Sequence, residues 1–107
     1  MTGVRAMTAL LIVRATVPDA DRDAFDRWYQ EEHLPDAVAA FNASGATRGW
    51  SDVEAGVHSA FYEFPTLAAA NAAAGSRAIK ALIEEFDLVW QGRVTRTRDV
   101  VEIIQTL

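Results

Sequence analysis

The side chains best suited to chemistry cluster in one segment, Phe25-Asp26-Arg27-Trp28-Tyr29-Gln30-Glu31-Glu32-His33-Leu34-Pro35. At about 100° per residue, a helix here puts Phe25, Trp28 and Tyr29 on one face and most of Asp26, Arg27, Gln30 and Glu31 on the other. Glu32 stands four residues after Trp28 and three after Tyr29, so it is expected to project from the middle of the apolar stripe, with His33 on the stripe's edge. A carboxyl group on a buried face is costly unless paired or protonated, and burial raises its pKa toward the range useful for proton transfer. Imidazole titrates near neutrality without help. Glu32, His33 and Tyr29 are therefore the candidate catalytic residues, and Trp28 a candidate wall of a small-molecule pocket. Each has a structural alternative. Glu32 could bond backbone groups where the helix meets Pro35, or pair with an arginine on a sheet. His33 could cap the helix C-terminus, and Phe25 and Trp28 could be plain core.

The elements that must position this segment follow from periodicity and punctuation. Met7 to Val17 reads as a strand with two apolar faces, Ala9, Leu11 and Val13 on one and Leu10 and Ile12 on the other, as expected when both sides of a sheet are covered. Pro18 to Asp21 starts a helix, with Asp19 or Asp21 as cap, running to about His33. Pro35 is expected to stop or kink it, with a short second turn to Phe41. Ala46 to Val53 and Val57 to Phe64 read as strands around a Glu54-Ala55-Gly56 turn. Pro65-Thr66 opens an Ala-rich helix to Ala74, Gly75 ends it, and Ser76 begins a further helix to about Trp90. Thr97 to Gln105 is the last strand, and Met1 to Arg5 a frayed start. The order β-α-β-β-α-β is that of an α+β, ferredoxin-like domain, a four-stranded antiparallel sheet with its helices on one face. The first and third strands are apolar on both sides, so the bare face is expected to stack on a second copy of the chain, giving a homodimer.

Other residues gain meaning in that frame. Arg48 and Trp50 share parity on the second strand; on the helix side, Arg48 could pair with Glu32 or hold an anionic group, and otherwise it lies at the surface or the dimer interface. Tyr62 could donate a hydrogen bond into the pocket or simply pack, and Trp90 could close one end of the pocket or pack beneath it. His58, beside a turn, is expected in solvent. Arg96, Arg98, Asp99 and Glu102 are expected to form a solvated edge or interface rim.

Composition narrows the function. The chain has 107 residues, a net charge of −5 and no cysteine. One domain is expected. Nucleic-acid binding, thiolate chemistry and Cys-ligated metal sites are not. Two histidines 25 residues apart make a poor metal set, no metal or other cofactor is expected, and no apolar run is long enough to cross a membrane. Arg5 and the apolar run to Val13 imitate a signal peptide only faintly, so a cytoplasmic protein is expected.

The string Trp28-Tyr29-x-x-Glu32-His33-Leu34-Pro35, followed by Gly45-Ala46-Thr47-Arg48-Gly49-Trp50, resembles the dimeric α/β-barrel superfamily, and within it EthD-like small proteins, whose first helix ends in a similar W-Y-x-x-E-H-x-P pattern. The approach Asn42-Ala43-Ser44-Gly45 departs from the Pro-Gly turn of that pattern. The resemblance implies a pocket between helices and sheet, faced by His33, and activities ranging from cofactor-free oxygenation through cyclisation, isomerisation, dehydration and decarboxylation to haem degradation or none. The leading expectation is a cofactor-independent enzyme on a small aromatic or polyketide-like molecule. His33 would be its acid/base, oriented by Glu32 or Tyr29, with Trp28, Trp50, Tyr62 and Trp90 as walls and Arg48 holding an anion. A non-catalytic binder, or a dimer whose helix–sheet space is filled by tryptophans, is the alternative.

Overall fold

A computed structural model describes residues 8–107; the frayed start expected for Met1 to Arg5, and Met7 of the first strand, lie outside them. The chain forms β1 (Ala9–Thr16), a 3-10 turn (Asp19–Asp21), α1 (Arg22–Trp28), a π turn (Tyr29–His33), α2 (Leu34–Phe41), β2 (Gly45–Trp50), β3 (Val57–Phe64), α3 (Leu67–Ala74), α4 (Arg77–Trp90) and β4 (Thr95–Glu102). The four strands make one antiparallel sheet in the order β2-β3-β1-β4, the ferredoxin-like arrangement. The second and last strands are each shifted from the expected bounds: β2 ends at Trp50, and β4 begins two residues early.

Alternation along the strands decides what the helices cover. On β1, Ala9, Leu11 and Ala15 are buried with Val13 beside them; on β3, His58, Ala60, Tyr62 and Phe64 are buried on the same face. The register aligns Leu11 with Tyr62, Ala15 with His58 and Ala15 with Arg96, and it sets Arg48 opposite Ala60 and Trp50 opposite His58. Arg48, Trp50, Arg96 and Arg98 thus all stand on the helix side of the sheet. The other face carries Leu10, Ile12, Phe61 and Val101, each half-buried, with Leu10 opposite Val101 and Ile12 opposite Phe61.

Helix ends follow local chemistry. Thr66 Oγ1 accepts from Ala69 N–H and Ser76 Oγ from Ile79 N–H, capping α3 and α4. Asn42 closes α2 in the left-handed region at φ 53°, which asparagine tolerates better than most residues. Gly56, at φ 77°, lets the β2–β3 connection press against Val17, whose N–H donates to Gly56 O at 2.8 Å; a Cβ there would sit 2.6 Å from Val17 O.

Pro35 does not break the first helix. Proline cannot donate to the carbonyl four residues back and its ring crowds that carbonyl. The turn just before it is wider, closed by Leu34 N–H donating to Tyr29 O, and the helix passes Pro35 as one of the first residues of α2. No helix among the described residues is long and apolar enough to cross a membrane.

Candidate active site

The π turn determines which side chains of the first helix reach the sheet. A π turn takes more residues per revolution than an α turn, so side chains beyond it lag behind the α-helical phase. His33 is brought from the edge to the centre of the buried stripe, in line with Phe25, Tyr29 and Ala37, while Glu32 is carried out. His33 is 7% exposed; Glu32 is exposed. The expectation that Glu32 points into the domain is corrected on this ground, and Arg48 pairs with Asp26 rather than with Glu32.

His33 lines a cavity of about 30 Å³ between α2, α4 and the sheet, with Tyr62, Phe41, Leu82, Arg96 and Arg98 among the other lining residues. That volume holds about one water molecule. The Trp28 ring stacks on the imidazole at 4.6 Å and 19°, and Tyr29 and Phe86 meet its edge at 4.8 Å and 5.7 Å. His33 Nδ1 is buried and has no hydrogen-bond partner among the described residues. Burial first, then the nearby charge of Arg96 and that of His58, pull the His33 pKa down to about 4, so the ring is neutral at physiological pH. Behind it, the Tyr29 and Tyr62 hydroxyls lie 3.4 Å apart, at the outer limit of a hydrogen bond. Burial raises both phenol pKa values, so both stay protonated and able to donate.

Arg96 is not a solvated rim residue. Its side chain is 18% exposed, donates to Asp87 Oδ1 at 3.1 Å and lies over the Phe86 ring at 3.8 Å. Arg98 is exposed, as expected for a rim, yet it also lines the cavity. Expecting the strand to begin at Thr97 had put Arg96 outside it.

A second polar cluster lies beside this one. Arg48 Nη1 donates to Asp26 Oδ1 at 2.8 Å and contacts His58 Nε2 at 3.2 Å, and its Nη2 donates to Asp26 O at 3.2 Å. The Trp50 indole N–H also donates to Asp26 Oδ1, at 2.9 Å. Those bonds hold the Asp26 pKa below the usual carboxylate range, the one from Arg48 most. A guanidinium only donates, so His58 Nε2 must accept, and the proton of the neutral ring sits on Nδ1. His58 is 1% exposed, against the expectation of a solvent position. Burial and the Arg48 charge bring its pKa down to about 4, Asp26 opposing. Asp26, placed by simple helical phase on the wet side, is half-buried because it meets β2.

Of the expected site residues, His33 and Tyr62 line the cavity, Trp28 stacks on His33 and Tyr29 stands behind it. Arg48 and Trp50 belong to the Asp26 cluster instead. Trp90 is buried against Phe25 and Trp28, outside the cavity lining. Among the described residues no group of three or more His, Asp or Glu side chains could hold a metal.

No protein-family model matches the sequence, and no curated protein is similar to it in sequence. The structure is similar to an ethyl tert-butyl ether D (EthD) family protein from Bacillus halodurans, with TM-score 0.70 and 17% identity over 92% of this chain and 100% of that one. It is similar to HapK from Hahella chejuensis, with TM-score 0.65 and 14% identity over 92% and 94% of the two chains. It is also similar to SnoaB, a cofactor-independent oxygenase from Streptomyces nogalater, with TM-score 0.57 and 14% identity over 95% and 98%. The chain thus has the ferredoxin-like fold that the EthD-family protein, HapK and SnoaB also have.

Proposed function

We propose that this protein is a small-molecule enzyme working by proton transfer without a cofactor, with His33 as the acid/base. The observation that carries the reading is a neutral, buried imidazole that lines a cavity and whose Nδ1 has no partner among the described residues. A buried polar atom without a partner costs free energy, and a ligand that bonds it recovers that cost. Trp28 fixes the ring plane by stacking, and Tyr62, backed by Tyr29, supplies a hydroxyl donor. Substrates of this site are small and in part flat, since Phe41, Leu82 and Ile83 form apolar walls. SnoaB, a cofactor-independent oxygenase of the same fold, supports the class of chemistry.

The test is deuterium exchange into a panel of enolisable aromatic and polyketide-like compounds, followed by NMR. Exchange that disappears in His33→Gln, with the fold intact by circular dichroism, is the expected result. Exchange undiminished in His33→Gln would refute the role. A second reading, a structural dimer whose helix–sheet space is filled by its own aromatic side chains, draws on the small void; a panel in which no compound binds the wild-type protein would favour it.

The same proposal includes self-association. Leu10, Ile12, Phe61 and Val101 leave an apolar stripe on the face away from the helices, and a twofold partner stacking its own sheet there would cover it. Sedimentation should find a dimer at micromolar concentration that Phe61→Glu dissociates. A wild-type monomer under those conditions would refute it.

A further inference from the structure

We infer that the cavity takes the acidic end of a small organic ligand, a carboxylate or an enolate or phenolate formed there, between Arg96 and Arg98 of β4 and the His33 imidazole, and that the anion itself makes His33 basic. This rests on the proposed acid/base role of His33 and names the class of molecule it serves.

The charges around the cavity are one-sided. Its lining contains Arg96 and Arg98 and no carboxylate, in a chain whose net charge is −5. Arg96 has one acidic partner, Asp87 of α4, itself half-exposed. Arg98 has no ion-pair partner among the described residues. Apolar side chains from α2 and α4 line the same cavity, so Arg96, the less exposed of the two cations, acts through a medium of lower dielectric than water. A guanidinium matches a carboxylate's two oxygens, and it also stabilises a single developing oxyanion.

The groups facing His33 explain the coupling. On its own helix stand Tyr29 and Trp28; from β3 come Tyr62 and His58, from β4 Arg96 and Arg98, and from α4 Phe86, with Asp87 bound to Arg96. Burial first, then the Arg96 charge and that of His58, keep the imidazole neutral. A bound anion offsets the Arg96 charge and adds an attractive partner for imidazolium, so proton uptake by His33 becomes favourable only when ligand is present. With an acidic C–H or O–H substrate the balance closes within the site. The bond to hydrogen breaks, its electron pair stays as the enolate or phenolate facing the arginines, and the proton moves to the imidazole.

The experiment is a pH titration of the two histidine ring signals by NMR, with the probe benzoate and its neutral isostere benzamide at millimolar concentration. Benzoate should raise the His33 midpoint by about one pH unit or more and leave His58 in place, and benzamide should not move His33. Arg98→Gln, a change at an exposed position, should weaken benzoate about tenfold, the scale of one charge-assisted hydrogen bond. Equal binding of both probes with His33 perturbed but not raised would overturn the anion inference and leave the pocket reading standing. Benzoate binding that leaves the His33 signal untouched and ignores Arg98→Gln would overturn both. Failure of benzoate to bind would overturn the anion inference.

Discussion

Stability should fall steeply between pH 6.5 and pH 4, through the two imidazoles. His33 and His58 each titrate near 4 in the fold against 6.5 when unperturbed. The unfolded chain therefore takes up protons first as pH falls. Their contribution is intact above pH 6.5 and is lost progressively down to the folded value. At pH 5 the linkage amounts to about 2 kcal/mol per ring, about 4 kcal/mol for both, against a total of about 5–15 kcal/mol for an ordinary domain. Asp26 does not confuse the window, because its lowered pKa matters only below the usual carboxylate value. The assay is urea unfolding at pH 7 and pH 5. With a slope of about 2 kcal/mol per molar, the midpoint should drop by about 2 M. The double variant His33→Gln, His58→Gln removes both titrations, and its glutamine at position 58 can still accept from Arg48; its two midpoints should nearly coincide. A wild-type midpoint unchanged between pH 7 and pH 5 would refute the burial argument for both rings.

Other perturbations separate packing from polar support. Asp26→Ala leaves the half-buried Arg48 guanidinium and the Trp50 indole without their shared acceptor and should cost about 2–3 kcal/mol in urea unfolding; a double-mutant cycle with Arg48→Met should show strong coupling, and additive effects would dissolve the cluster as a unit. Phe25, 0% exposed and in ring contact with Tyr29, Trp50, His58, Phe86 and Trp90, should lose about 3–5 kcal/mol as Phe25→Ala, measured the same way; a loss below 1 kcal/mol would mean the cluster repacks freely. Gly56→Ala combines a positive φ with a 2.6 Å clash against Val17 O and should lower the melting temperature by several degrees, about 1–3 kcal/mol; an unchanged melt would show that the turn can relax.

The regular parts of the fold were legible because local signals agreed. Ser76 as cap and the apolar spacing through Trp90 define α4, and alternation from Val57 to Phe64 defines β3, at the bounds observed. His33 was found through its four-residue step from Tyr29. Glu32 was misplaced because a fixed 100° phase has no means of expressing a π turn. His58 shares parity with Ala60, Tyr62 and Phe64, and that alternation, rather than its nearness to a turn, decides its burial. Arg96 and Arg98 were hidden by composition. β4 is rich in polar residues on both faces, so nothing in its pattern distinguishes an arginine beneath helices from one in water.

The wide turn at Tyr29–His33 holds one residue more than a regular helical turn would need. Removing one residue between Tyr29 and His33 would let the coil wind regularly. The rotation lost with that residue nearly cancels the lag of the wide turn, so the following segment would keep the same face toward the sheet. A shortened variant of this kind should keep both its helical content and the inward face of α2, with circular dichroism and urea unfolding as the checks. A one-residue deletion is thus absorbed here more readily than at the β2–β3 connection, where Gly56 is pressed against Val17 O.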